Sequence, residues 1–436
     1  MNSNSKKTLG FTLGCRLNQA DTALIFGRLE KEDFAIIKPG SSEAPDIIIV
    51  NTCTVTANAA QKSRQTVRSF KRQYPDACIV VTGCDCDKAP ENWIAEPAAD
   101  LVVPNAGKKE IAELVKQWKK NKQKTSDDIL KSQSDKIVST FKSASIDTSF
   151  REDALADFPH RSRAFLKVQE GCNSFCTYCI VPYVRGRERS RNFREILDEA
   201  ESMLDKGHKE LVITGVNIST YKDGNRRIAD LIAALTELKG DFRIRLSSME
   251  PHPDNFQLVK LIADNNKICR FMHIPLQHGT DEILEKMGRN YKAANFAEFI
   301  HTAAETVPGI HLGTDVIVGF PGETDELFDK SCTFIASMPL ANTHIFRFSP
   351  REGTPAVTMK PRIPQITAKK RAAALAVITE KQKKCFEAEQ KKHKLRVLVE
   401  KQMNDGSFEG WSDNYIRIKL NGADIKPGEF TWYYPG

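Results

Sequence analysis

The segment GCNSFCTYCIVPYVRGRERSR (171–191) carries three cysteines, Cys172, Cys176 and Cys179, in the spacing C-x3-C-x2-C. Three thiolates can hold three irons of a [4Fe-4S] cube. Thiolate is the usual ligand of such clusters, and four ligands are the usual number. With only three nearby, one iron stays open to the amino and carboxylate groups of a small molecule. Reductive cleavage of S-adenosylmethionine requires that arrangement. A structural zinc site would want a fourth ligand, but the segment continues with Ile180, Val181 and Pro182 and offers no further Cys or His at metal spacing.

A second set is spread more widely. Cys15 follows the apolar run LGFTL, Cys53 follows DIIIVN, and Cys84 follows ACIVVTG. Each run reads as a strand. In an open parallel sheet the C-terminal strand ends gather along one edge, where ligands bind. Three cysteines at three such ends, two of them beside Gly14 and Gly83, favour a second three-thiolate site over three isolated thiols in tight turns. Cys78 lies inside a strand, and Cys269, Cys332 and Cys385 stand alone, so these four read as packing residues. His252, His273 and His278 do not follow a standard ligand spacing and read as structural hydrogen-bonding groups.

The elements that must position these residues fall into three groups. Residues 1–120 alternate strand-like and helix-like runs, with helices expected over 18–34, 57–72 and 107–120, which implies a parallel α/β sheet. Residues 121–158 are polar and rich in Lys and Ser, and read as a linker. From 159 to 378 six strand candidates (AFLKVQE, ELVITG, FRIRLSS, ICRFMHI, HLGTDVIVGF and NTHIFRFS) alternate with helical candidates at 193–206, 228–238, 254–264, 280–288 and 323–337. A complete or partial β/α barrel fits, with a doubly wound sheet as the alternative. The first cysteine set follows the first of these strands, where barrel active sites lie. Residues 379–436 read as short strands with turn signals at Asp405-Gly406 and Asn421-Gly422, which suits a small antiparallel β-barrel. Arg417 and Lys419 alternate with Ile416, Ile418 and Leu420, giving one basic and one apolar face. Tyr415, Trp432, Tyr433 and Tyr434 are candidates for base stacking or for that barrel's core.

Composition excludes little and supports this division. The chain has 436 residues, 40% hydrophobic and 28% charged, with a net charge of +8. Twelve Lys or Arg against three Glu fall within 360–396. Clustered basic charge of this kind attracts phosphates. No apolar run approaches the ~20 residues that span a bilayer, so no membrane partner is expected. The opening MNSNSKKTLGFTLG lacks the apolar stretch of a signal peptide. A cytoplasmic location is expected, and there eleven cysteines serve metals or catalysis better than disulfides.

The residues then match a family. GCRLNQADT (14–22), NTCTVT (51–56) and TGC (82–84) resemble the three N-terminal motifs of the radical-SAM methylthiotransferases. The cysteine segment 171–191 resembles theirs nearly throughout. ITGVNIS (213–219), RLSSMEP (245–251), HIPLQHG (273–279), TDVIVGFPGET (314–324) and FSPREGTPA (348–356) do so as well. The resemblance covers about 9–120 and 160–436, and Gly-Cys-Arg-Leu-Asn-Gln is most similar to the subgroup acting on threonylcarbamoyladenosine in tRNA. It implies an N-terminal domain with an auxiliary cluster, a radical-SAM β/α barrel and a C-terminal RNA-binding TRAM barrel. It also implies two [4Fe-4S] clusters, on Cys15, Cys53 and Cys84 and on Cys172, Cys176 and Cys179.

The implied reaction begins with one-electron cleavage of S-adenosylmethionine to methionine and a 5′-deoxyadenosyl radical. Hydrogen is then abstracted from C2 of the modified adenine at tRNA position 37, and a sulfur methylated by a second S-adenosylmethionine is inserted. Tyr178 is expected near the adenine of S-adenosylmethionine. Gly215, Val216 and Asn217 are expected near its amino group, with a turn cap as the other role for Asn217. The arginines of RGRERSR are expected to meet phosphate or carboxylate. The implied partners are tRNA and a reductase or flavodoxin-type electron donor. One departure stands out: where the family continues Gly-Cys-aromatic-Ala-Gln, this chain has GCDCD, which places Cys86 beside Cys84 as a rival ligand or a bystander. Related enzymes act on isopentenyladenosine in tRNA or on an aspartate of a ribosomal protein. The reading from another class is a non-catalytic, zinc-bearing RNA-binding protein, which would hold no iron.

Overall fold

The computed structural model describes residues 6–122 and 162–435, so nearly all of the expected linker lies outside the described residues. The chain forms two compact units, Met1–Pro159 with Ile180–Arg189, and His160–Cys179 with Ser190–Gly436.

The first unit is built on a five-stranded parallel sheet. Its order is Phe34–Ile36, Lys6–Thr12, Ile47–Thr52, Cys78–Gly83, Leu101–Val103. Ile47–Thr52 and Cys78–Gly83 are buried at every residue, as central parallel strands covered on both faces must be. Helix Arg16–Lys31 follows the first strand, and helix Ala57–Gln73 follows the third. Thr56 caps the latter by accepting from Ala59 N at 3.2 Å, and Lys71 and Arg72 stand in its last turn, so both ends suit the helix dipole. The edge strand Phe34–Ile36 was not expected; at three residues it is too short to show a period. In this strand order the chain reverses direction between Lys6–Thr12 and Ile47–Thr52. Such a switch point opens a crevice at the C-terminal ends of the two strands.

In the second unit six parallel strands follow one another as Arg163–Lys167, Glu210–Thr214, Arg243–Leu246, Phe271–His273, His311–Val318 and Asn342–Arg347. Single bridges Ile244↔Ile268 and Ser248↔His273 join the two halves. This is an open β/α barrel in sequential order, not a doubly wound sheet, whose strand order would reverse. Helices Phe193–Asp205, Ile228–Thr236, Phe256–Asp264, Asp281–Lys286 and Asp325–Ser337 fall close to the spans expected. Helix Ala293–Thr306 was missed. Its Phe296, Phe299, Ile300 and Ala303 carry the helical period and are buried, but it is a second helix within one strand-to-strand connection.

The tail is a four-stranded antiparallel sheet in the order Arg417–Leu420, Phe408–Ser412, Leu395–Gln402, Phe430–Tyr433. A continuous helix, Gln365–Gln390, precedes it. Asp405-Gly406 makes the expected hairpin, with Gly406 at φ +81°. Asn421-Gly422 does not, because Arg417–Leu420 and Phe430–Tyr433 occupy opposite edges and residues 421–429 cross between them. Arg417 and Lys419 face outward while Ile416, Ile418 and Leu420 are buried.

Barrel and tail sheet are clamped together at the N-terminal ends of the strands. Glu210, fully buried, accepts from Arg243 Nε (2.5 Å) and Arg245 Nε (2.8 Å). Those guanidiniums also donate to the carbonyls of Trp411, Ser412 and Asp413. Arg270 pairs with the Asp413 carboxylate at 2.7 Å.

Candidate functional site

Cys172, Cys176 and Cys179 lie on the loop after the first barrel strand, at the end opposite the clamp. Thr177 ties this loop down: its N–H donates to Met287 O (2.9 Å), its hydroxyl to Lys286 O (2.8 Å), and its carbonyl accepts from Ala356 N (2.8 Å). Phe175 sits at φ +45°. For an aromatic residue this left-handed backbone is strained, and such strain gathers at functional sites.

The sulfurs are met by donors. Ser174 N–H points to Cys172 Sγ at 3.4 Å, and Arg289 Nη1 donates to Cys176 Sγ at 3.3 Å. Burial pushes the Cys176 thiol up, and the Arg289 guanidinium pulls the other way. Arg289 is itself held by Glu250 (3.0 Å) and by the Tyr291 hydroxyl, which accepts from its Nε at 3.1 Å. Tyr291 in turn donates to Pro275 O at 2.6 Å. N–H groups aimed at the sulfurs of half-buried Cys172 and buried Cys176 suit thiolate ligands of a cluster.

Tyr178 is packed with Ile283, Met287, Phe320 and Ala356, its ring edge-on to Phe320 at 6.4 Å. Gly215 and Asn217 follow the second barrel strand, but the loop is organised by a residue sequence reasoning missed. Gln169 Oε1 accepts from Val216 N (2.9 Å) and Asn217 N (3.1 Å). An added Cβ at Gly215 would stand 2.9 Å from that same oxygen. Backbone amides are donors like an ammonium, so an ammonium here would need carbonyl oxygens instead. The Asn217 side chain accepts from Ser219 N at 3.2 Å, so it is a turn cap, while its buried Nδ2 has no hydrogen-bond partner among the described residues.

The arginines of 185–191 divide. Arg191 is buried against Glu199 and Lys167 O. Arg185, in the first unit, is buried against Asn18 Oδ1 (2.5 Å) and Asp21 (3.1 Å). Neither is a solvent-facing phosphate contact. Arg187 is exposed.

In the first unit Cys15, Cys53 and Cys84 sit just past the C-terminal ends of three adjacent strands, and Cys15 and Cys53 flank the switch point. Cys53 lies within electrostatic reach of both others. Burial pushes Cys53 up to about 11. Burial raises Cys84 too, against the pull of Arg185 and Lys108. A metal deprotonates such thiols outright. Gly14, at φ +100°, lets the Cys15 turn close on Cys53: a Cβ there would stand 2.7 Å from Cys53 Cβ. Gly83, also at φ +100°, approaches Asn51 and Thr52 as tightly.

Asn18 explains why its motif reads as it does. Its Nδ2 donates to Leu13 O (2.9 Å) and Thr52 O (2.8 Å), binding the Cys15 turn to the residue before Cys53. Asn51 Nδ2 returns a bond to Asn18 O at 2.8 Å.

Cys86 points elsewhere. It packs with Leu9, Ile48, Val81 and Trp93, and its Sγ lies 3.9 Å from Thr52 Oγ1. Burial holds its thiol well above the usual range.

His278 is a buried structural residue, contacting Glu323 at 3.2 Å and accepting from Thr280 N at 3.2 Å. His252 caps a turn by accepting from Asp254 N. Among the described residues no helix is long and apolar enough to cross a membrane.

Comparisons with known proteins agree with this geometry. Residues 166–335 match the radical SAM superfamily, and residues 7–104 match the uncharacterized protein family UPF0004. The chain is 32% identical to the threonylcarbamoyladenosine tRNA methylthiotransferase MtaB of Bacillus subtilis, covering 96% of this chain and 91% of that one. It is 34% identical to the MtaB of Aquifex aeolicus, over 94% and 96%. A tRNA-2-methylthio-N(6)-dimethylallyladenosine synthase of Clostridium botulinum is 32% identical over 83% and 78%. Among solved structures, the radical S-adenosylmethionine methyltransferase TsrM of Kitasatospora setae shares the fold. Its TM-score is 0.56 at 17% identity, over 81% of this chain and 77% of that one. With motifs, fold and full-length relatives in agreement, the chain belongs to the radical-SAM methylthiotransferase family.

Proposed function

We propose that this enzyme converts N6-threonylcarbamoyladenosine at tRNA position 37 to its 2-methylthio derivative, with two [4Fe-4S] clusters and S-adenosylmethionine as cofactors. The observation that carries the reading is the pair of three-cysteine sets, one on the loop after the first barrel strand and one past the C-terminal ends of three parallel strands, in a chain whose full-length relatives bear that name. Cys172, Cys176 and Cys179 hold the cluster that binds S-adenosylmethionine, and Cys15, Cys53 and Cys84 hold the auxiliary one. When bound, these groups supply a 5′-deoxyadenosyl radical to take hydrogen from C2 and the sulfur that replaces it.

The chain's own residues do the rest. Thr177 and the left-handed Phe175 fix the barrel loop. Gln169 fixes the loop carrying Gly215 and Asn217, and Tyr178 walls one side of the cluster loop. Asn18, Gly14 and Gly83 hold the auxiliary thiols together. On the tail sheet Arg417 and Lys419 face outward, and Trp432 and Tyr434 are exposed, which suits phosphate and base contacts with tRNA. Electrons come from a reductase or flavodoxin-type donor, and the reaction takes place in the cytoplasm.

Anaerobic turnover with the reconstituted enzyme tests the substrate. The methylthio product is expected from tRNA bearing threonylcarbamoyladenosine and not from tRNA bearing isopentenyladenosine; the reverse preference would refute the assignment.

Two substitutions probe the residues. Cys86→Ala is expected to leave iron content and turnover unchanged and to cost about 1 kcal/mol of stability as a small buried truncation. Loss of half of the iron on metal analysis would make Cys86 a ligand. Arg289→Leu removes a cationic donor from a cluster sulfur, so the reduced, more negative cluster loses stabilisation. Its midpoint potential is expected to fall by tens of millivolts in EPR-monitored titration. An unchanged potential would deny Arg289 that contact.

A further inference from the structure

Three side chains outside the cysteine sets meet on neighbouring barrel strands. His273 ends the strand Phe271–His273 and pairs in register with Gly313. Asp315, two residues on, points to the same face as Gly313 and pairs with His344 on the next strand. His273, Asp315 and His344 therefore share one face of the sheet, the face that leaves His344 and Phe346 exposed. His273 Nε2 lies 3.2 Å from Asp315 Oδ1, and the imidazoles of His273 and His344 have their centroids 5.7 Å apart. One donor atom from each of the three residues lies within 4.8 Å of the other two. Gly313 keeps the space open: a Cβ there would stand 3.0 Å from His273 Nδ1.

We propose that His273, Asp315 and His344 form a binding site for one divalent transition-metal ion, separate from both iron–sulfur clusters. Zinc–nitrogen and zinc–oxygen bonds of roughly 2.0–2.2 Å fit donors this close after small side-chain rotations. Two imidazoles and one carboxylate on one side of an ion suit zinc or ferrous iron, whereas magnesium and calcium prefer all-oxygen sets. The three ligands approach from the sheet, so the remaining coordination positions face away from it, toward the exposed side of His344. An ion there could take a water or a carboxylate oxygen. The histidines do not show a ligand spacing in sequence because strand register, not helical or loop spacing, brings them together.

Zinc ion is the probe. The holoenzyme, with its clusters loaded, is dialysed anaerobically against buffered free zinc, and zinc and iron are counted per chain. Wild type is expected to take up one zinc with its iron retained. His344→Ala, at an exposed position, and Asp315→Asn are expected to bind it at least tenfold more weakly with the same iron content. Equal zinc uptake by wild type and both variants, no uptake by wild type, or uptake only as iron is lost would each overturn the site.

Discussion

Cys176→Ala is expected to abolish 5′-deoxyadenosine formation and the methylthio product together, while Cys84→Ala is expected to abolish the product alone. Both losses should exceed about a thousandfold, since no uncatalysed route competes. The contrast follows from where the thiols sit. Cys176 lies on a loop fixed by Thr177, and its sulfur accepts from Arg289. With that ligand gone, nothing can present an open iron to the amino acid end of S-adenosylmethionine. Cys84 opens the short helix Cys84–Lys88 in the first unit, just past the strand that ends at Gly83 and packed with Ile180 and Val184, and its loss leaves the Cys172, Cys176 and Cys179 ligands in place. Each variant should retain about half of the wild-type iron, the expected share of one cluster lost from two. Product analysis by chromatography with an iron assay checks both. Normal 5′-deoxyadenosine formation by Cys176→Ala would contradict the ligand assignment.

Glu210→Gln is expected to be the most destabilising single change in the barrel. The carboxylate is fully buried between Arg243 and Arg245. Burial alone would raise its pKa, but the two guanidiniums win and hold it well below the usual carboxylate range. Removing its charge takes away the one carboxylate directly bonded to both buried guanidiniums and leaves them neutral oxygens, aromatic rings and the more distant Asp413 carboxylate, a loss of roughly 3–5 kcal/mol by analogy with other broken buried pairs. At about 2–4 °C per kcal/mol for a unit of this size, thermal unfolding should begin some ten degrees lower. The sign with pH follows from the depressed folded value. The stabilisation is whole above the unfolded carboxyl value of about 4.3 and is lost as pH falls below it toward the folded value. The gap between wild type and variant should therefore be constant from neutral pH to about 5 and shrink only in stronger acid. A variant within 1 kcal/mol of wild type near neutral pH would show that the clamp contributes little.

What could be read from sequence was whatever sits close along the chain or at a strand end. Cys172, Cys176 and Cys179 announce themselves by spacing, and Cys15, Cys53 and Cys84 by following apolar runs. Arg289 could not be read this way, because it meets Cys176 from more than a hundred residues away. Gln169 was passed over as the end of a strand, although its one side-chain oxygen orders the loop carrying Asn217. In RGRERSR the charges were legible but their burial was not: Arg185 and Arg191 have internal carboxylate partners that only the fold supplies. The hairpin at Asn421-Gly422 failed for a related reason. Turn chemistry signals a reversal, while pairing depends on which edge of the sheet is free.

The most direct test of the account is nucleoside mass spectrometry of tRNA from cells with and without the gene. The account predicts that 2-methylthio-N6-threonylcarbamoyladenosine disappears on deletion and that its unmethylthiolated precursor accumulates. Wild type should restore the modification and Cys176→Ala should not. An unchanged level of the methylthio nucleoside in the deletion, in cells with no second enzyme of this kind, would contradict it.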